Sequence, residues 1–168
     1  VAAPAAPFAV AAGEGTALRT PTASTVTIKA ATGQTNGSMT VLELAILPGD
    51  GPGLHTHVRE DELWWVLDGE FRFRLGDDVV SESRGGMAFG ARGVPHTFQN
   101  VGEGEGRLLV VTTPSGLERF FQQYAEHSGP VDPAMLHALG EAHGVEFVGP
   151  PLSVSDPGGT VLSEGRPR

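Results

Sequence analysis

What most constrains this chain is its punctuation. Of 168 residues, 24 are glycine and 13 proline, and they fall between short apolar runs, a spacing that predicts many short strands. Ser24 to Ala30 and Met39 to Leu47 are rich in Val, Ile, Leu and Thr, and the intervening Thr-Gly-Gln-Thr-Asn-Gly-Ser reads as a hairpin connection. His55, His57, Leu63 to Leu67 and Phe71 to Leu75 follow as extended segments, with Asp68-Gly69 predicting a tight hairpin between the last two. Val79 to Glu82, Met87 to Phe89, Val94 to Asn100 and Leu108 to Thr113 continue the series, separated by turns at Gly76-Asp77-Asp78 and Arg84 to Gly86. About ten short strands at this spacing argue an all-β antiparallel sandwich or barrel rather than an α/β sheet.

The period changes after Pro114. Leu117, Phe120, Phe121 and Tyr124 stand at helical spacing, with Ser115 and Glu118 as a capping box, and predict a helix docked on the barrel that ends near Gly129-Pro130. Asp132 as N-cap and Pro133 at the first helical position open a second helix that stops near Gly144. The expected organisation is an N-terminal arm (1–23), a barrel (24–114), a helical extension (115–152) whose last residues pack back on the barrel, and a disordered tail (153–168).

Composition narrows the function. With no cysteine, disulfides, thiolate zinc sites and iron–sulfur clusters are excluded, so any metal rests on histidine and carboxylate. A net charge of −9 with Lys29 as the one lysine leaves no basic stripe for nucleic acid. No apolar run approaches the ~20 residues of a membrane span, and the chain is read as a soluble cytoplasmic protein.

The chemistry concentrates in two motifs. Gly49, His55, His57, Glu62 and Gly69 read G-x5-H-x-H-x4-E-x6-G, a spacing that chance would give a chain of this composition about 3 times in 10,000. Gly85, Gly93, His96 and Asn100 form a second element. His55 and His57, two apart on a strand, leave the same face. Glu62 is in phase with Trp64 and Val66, while Trp65 points the other way, and His96 shares parity with Phe98 rather than Thr97. Three imidazoles and one carboxylate suit one divalent first-row ion, Fe, Ni, Mn, Co, Cu or Zn, with positions left for substrate. Trp64, Val66, Phe89 and Phe98 are expected to line the substrate cavity. Glu60 and Asp61 are expected to be solvated, Asn100 to be a turn residue, and His127, His137 and His143 to lie on the surface. Arg72 and Arg74 alternate with Phe71, Phe73 and Leu75; the arginines are expected to face water.

The two motifs resemble the signatures of the cupin superfamily, small jelly-roll β-barrels, over roughly Met39 to Pro114. The first matches throughout; in the second, the proline usual two residues before the glycine is replaced by Ala91. The resemblance implies a metal held by His55, His57, Glu62 and His96, and a homodimer paired through barrel faces. Within the superfamily the chain looks like small bacterial quercetinase-like dioxygenases. That likeness implies chelation of an enolic or phenolic, flavonol-like small molecule, Glu62 as the catalytic base, and attack by dioxygen. The alternatives on the same site are a non-redox polyketide cyclase or isomerase using zinc as a Lewis acid, and a non-catalytic binding protein.

Overall fold

The computed structural model describes residues 5–22, 24–129 and 131–157. Eleven strands are present among them: β1 (Thr16–Arg19), β2 (Thr25–Ala30), β3 (Thr40–Ile46), β4 (Gly53–His57), β5 (Asp61–Asp68), β6 (Glu70–Leu75), β7 (Asp78–Ser83), β8 (Met87–Gly90), β9 (His96–Asn100), β10 (Gly106–Thr113) and β11 (Val145–Pro151). They form two antiparallel sheets, β1-β2-β3-β10-β5-β8 and β11-β4-β9-β6-β7, a jelly-roll sandwich. Helices α1 (Thr32–Thr35), α2 (Leu117–Glu126), α3 (Pro133–His143) and α4 (Leu152–Ser155) lie between or after the strands. None is long and apolar enough to cross a membrane.

Strict alternation builds the sheets. In β2 and β3 every second residue is buried, so Val26, Ile28, Leu42 and Leu44 meet Trp64, Val66, Phe71, Phe73 and Leu108 in one core between the sheets. Leu42, Phe71, Phe73 and Leu108 are wholly excluded from water, each worth roughly 1.5 to 3 kcal/mol of burial.

The Asp68-Gly69 turn does not close a hairpin. Both edges of β5 are taken, by β10 and by β8, so the chain must leave the sheet, and β6 joins the other one. Gly69, at φ +90°, makes that passage; a Cβ there would stand 2.9 Å from Gly106 Cα. The arm is also more than an arm, because Thr16–Arg19 pairs along β2.

Helix α2 starts at Leu117 behind Gly116, with no side-chain cap, so Ser115 and Glu118 form no capping box. The Glu118 carboxylate is spent elsewhere: it accepts from Thr32 N (2.9 Å) and from the Thr32 and Thr40 hydroxyls. The helix ends at Glu126, short of Gly129. The second helix starts as expected, with Asp132 Oδ1 accepting from Met135 N at 2.8 Å, and Gly144 ends it in the left-handed conformation. Residues 145–151 pack back as β11 against β4. The first residues of the expected disordered tail are ordered: Leu152–Ser155 is helical and Asp156 pairs with Arg72 at 2.5 Å, while the rest of that expected tail, 158–168, lies outside the described residues. That pairing buries Arg72 on the face opposite Phe71 and Phe73, so this arginine does not face water.

Candidate metal centre

Strand β4 supplies His55 and His57, the start of β5 supplies Glu62, and the start of β9 supplies His96. The sheets bring all four together, buried, with one potential ligand atom from each lying within 4.8 Å of the others. His57 Nε2 is 3.0 Å and His96 Nε2 3.4 Å from Glu62 Oε2. The ring of His55 sits 5.2 Å from that of His57 and 4.7 Å from that of His96.

The imidazoles are oriented from behind. His55 Nδ1 donates to Gly53 O (2.8 Å) and His96 Nδ1 to Val94 O (2.9 Å), which fixes the proton on Nδ1 and leaves Nε2 as the free donor atom. His57 Nδ1 faces the Glu60 carboxylate, 3.7 Å away. Glu60 is therefore not solvated as expected; it is 2% exposed. It lies three residues beyond His57 across a turn, a spacing that strand parity cannot reach. Asp61 is bound rather than coordinating: its carboxylate takes Arg92 N (3.0 Å), Nε (3.1 Å) and a terminal guanidinium nitrogen (2.7 Å). With Gly93 N donating to His57 O (2.8 Å), this clasp holds the loop before His96 against the first motif. That loop turns without the customary proline, Val94 N donating to Ala91 O at 3.1 Å.

The electrostatics fit a cation. Burial pushes the Glu62 carboxyl upward, but His57 and His96 overcome it and hold the group well below the usual carboxylate range. Burial, then the neighbouring His57 and His96, push His55 down to about 3. Burial also opposes the charge on His57, yet Glu62 and Glu60 outweigh it and raise the group to about 9. Glu62 Oε2 and His96 Nε2 are buried without a hydrogen-bond partner, an arrangement that a bound ion would satisfy.

A cavity of about 380 Å³ opens over the cluster. Phe98 lines it as expected, with Phe120, Phe121 and Tyr124 of α2, Leu136 of α3 and Phe147 of β11. Phe147, 5.8 Å from the His55 ring, carries no motif and is not legible from sequence as a site residue. Trp64 and Val66 are fully buried in the core and are not part of the lining; Trp64 packs edge-on against His96, 5.1 Å between rings. Phe89 is on the wrong face: it is 51% exposed, opposite Leu63 on the outside of its sheet, whereas Ala88 and Gly90 face inward. Asn100 is a buried brace and not merely a turn residue, donating to Ile46 O and Gly104 O and accepting from Gly102 N, each at 2.9 Å. His137 is exposed; His127 and His143 are partly buried, His143 bonding Gln123 at 2.8 Å, and none of the three joins the cluster.

Residues 42–112 match the family model described as Cupin domain. Among solved structures, an RmlC-like cupin from Shewanella frigidimarina NCIMB 400 aligns with a TM-score of 0.57 at 15% identity, over 67% of this chain and 96% of that one. A predicted oxalate decarboxylase from Thermotoga maritima aligns at 0.51 and 24% identity, over 54% and 80%. The protein TT1209 from Thermus thermophilus shares 33% identity over 46% of this chain and 74% of its own, with a TM-score of 0.45. No curated protein matches this sequence.

Proposed function

This chain carries a cupin domain, and on that premise we propose that it is a metal-dependent dioxygenase acting on an enolic or phenolic small molecule, working as a soluble cytoplasmic homodimer. One observation carries the reading: His55, His57, Glu62 and His96 converge with oriented imidazoles and unpartnered inner atoms at the floor of an apolar cavity. The ion would be held by these four residues, and when bound it supplies a Lewis-acidic centre that acidifies a coordinated hydroxyl. Glu62 takes that hydroxyl proton at its carboxylate; because the hydroxyl is acidified, a carboxylate of low pKa is base enough. Glu60, facing His57 Nδ1 from behind, holds that imidazole in orientation. Phe98, Phe120 and Phe147 line the cavity and give it an aromatic, water-excluding wall for a flat substrate.

The test is metal content and dioxygen uptake of the purified protein with a flavonol, alongside Glu62→Gln, which keeps an oxygen donor but cannot accept the proton. The expected result is dioxygen consumption in the native protein, and in the variant retained metal with lost turnover that returns as pH nears the pKa of the bound substrate. Turnover without dioxygen, on bound zinc, would replace this reading with a cyclase or isomerase; full activity in Glu62→Gln would remove the base.

The homodimer is carried by the outer face of the larger sheet. Trp65, Met87 and Phe89 are about half exposed there and adjoin Leu63 and Leu109 through the register of β5 with β8 and β10, and monomers seldom leave such a patch open. Phe89→Glu is expected to give a monomer by sedimentation; a native protein that is already monomeric would overturn the assignment.

A further inference from the structure

The cavity has two unlike ends. One is the metal cluster. At the other, the residues just before β2 meet the loop leading into β4: Ser24 Oγ donates to Asp50 Oδ2 at 2.8 Å, Thr20 and Thr22 share a hydrogen bond between hydroxyls at 3.1 Å, and Tyr124 lines the same cavity. Strand register sets these ends apart. Glu62 pairs with Thr112, and Thr112 with Thr40 at one end of β3, whereas Ser24 immediately precedes Thr25, the partner of Ala45. The five steps from Thr40 to Ala45 correspond to about 17 Å along the strand, a span that the side chains at both ends shorten. Between them the walls are Val26, Leu44, Ile46, Phe98 and Phe120.

Charge narrows the ligand further. Among the described residues no lysine or arginine lines the cavity, while Asp50 and Glu62 do. A ligand carrying a free carboxylate or phosphate would meet negative charge with no cation but the ion to offset it, and the desolvation of that group would go uncompensated. A neutral hydroxyl, in contrast, finds the Asp50 carboxylate as acceptor with the Ser24 and Thr22 hydroxyls beside it.

Resting on the enolic or phenolic reading above, we infer that the cavity selects an uncharged, ring-bearing molecule with a metal-binding oxygen at one end and a hydroxyl at the other, the distal hydroxyl being read by Asp50. Asp50 and Thr22 are thus specificity residues: they touch the remote end of the substrate and not the reacting atoms.

The experiment uses the full chain loaded with cobalt and three probes: 3-hydroxyflavone, its 4′-hydroxy derivative, and oxalate. Binding is followed by calorimetry and by the visible absorbance of the flavonol. The 4′-hydroxy probe is expected to bind about tenfold more tightly than the plain one, the low end of what a hydrogen bond to a charged group contributes, and oxalate is expected not to displace either. Asp50→Asn should reduce that tenfold preference severalfold and Asp50→Leu abolish it; if the leucine variant does not fold, Thr22→Val, at an exposed position, is expected to narrow the preference. Equal binding of the two flavonols, or displacement by oxalate at comparable concentration, overturns the inference while leaving the enolic reading intact. Failure of both flavonols to bind the loaded protein overturns the enolic reading and the inference together.

Discussion

Replacing Gly90 by alanine adds one methyl group behind the metal cluster, and the structure sets the consequence. Gly90 lies on the inward face of β8, and its backbone is not in the left-handed region, so the substitution is purely steric. The new Cβ would stand 2.7 Å from Trp64 Cη2 and 2.8 Å from His96 Nδ1, about 0.7 to 1.3 Å inside a comfortable contact of ~3.5 to 4.0 Å. Neither neighbour has room to retreat, both being fully buried, and His96 Nδ1 is committed to Val94 O. Overpacking of this kind costs about 1 to 3 kcal/mol, and for a chain of this length each kcal/mol lowers Tm by about 2 to 4 °C. The expected drop is therefore about 2 to 12 °C in a metal-free thermal melt, and because the strain falls on a proposed ligand, cobalt affinity should fall as well. Gly104→Ala is the control, since a methyl there meets nothing within 4 Å. A Gly90→Ala protein that melts with the native one and binds cobalt equally well would show that Trp64 does not brace His96.

Metal uptake should release about one proton at pH 7 to 8, because His57, raised to about 9, must give up its proton while His55 and Glu62 are already deprotonated; calorimetry in buffers of different ionisation enthalpy reads this, and apparent affinity should tighten as pH rises towards 9. In the metal-free protein, the stability that His57 contributes should be complete below its ordinary 6.5 and be lost as pH rises through about 9. His55 works in the opposite sense, its pushed-down pKa costing stability as pH falls below 6.5, so a urea series across pH separates the two. Glu60→Gln removes the charge facing His57 Nδ1 and is expected to weaken metal binding by about 10-fold or more, with the His57 resonance titrating at lower pH by NMR; an unshifted titration would mean Glu60 only fills space.

Much of this arrangement is legible in the sequence, and what is not has physical causes. Strand parity places His55 with His57, Glu62 with Trp64, and His96 with Phe98, because a period of two survives any sheet pairing. Parity does not say how deep a residue lies, which is why Trp64 and Val66 read as a cavity wall and belong to the core below it. Phe89 departs for a different reason: it is an aromatic residue on a short strand whose alternation is Ala88 and Gly90 inward, and small inward residues give no hydrophobic signal. The Asp68-Gly69 turn is legible as a turn, but whether it joins partners depends on strands later in the chain that occupy both edges of β5. Glu118 looks like a cap because its partners, Thr32 and Thr40, are distant in sequence.

Strand β4, which carries two of the four clustered residues, meets β9 at the single register pair His55↔His96, yet runs alongside β11 from Val145↔His57 to Pro151↔Gly53. Its principal main-chain partner is thus the last of the described strands in chain order. As the chain leaves the ribosome, His55 and His57 emerge well before β11 and cannot be locked in place until that strand has been synthesised, and pairings so remote in sequence are slow to form. The nascent chain therefore passes through an interval in which His55 and His57 have been made but are not yet held in the cluster.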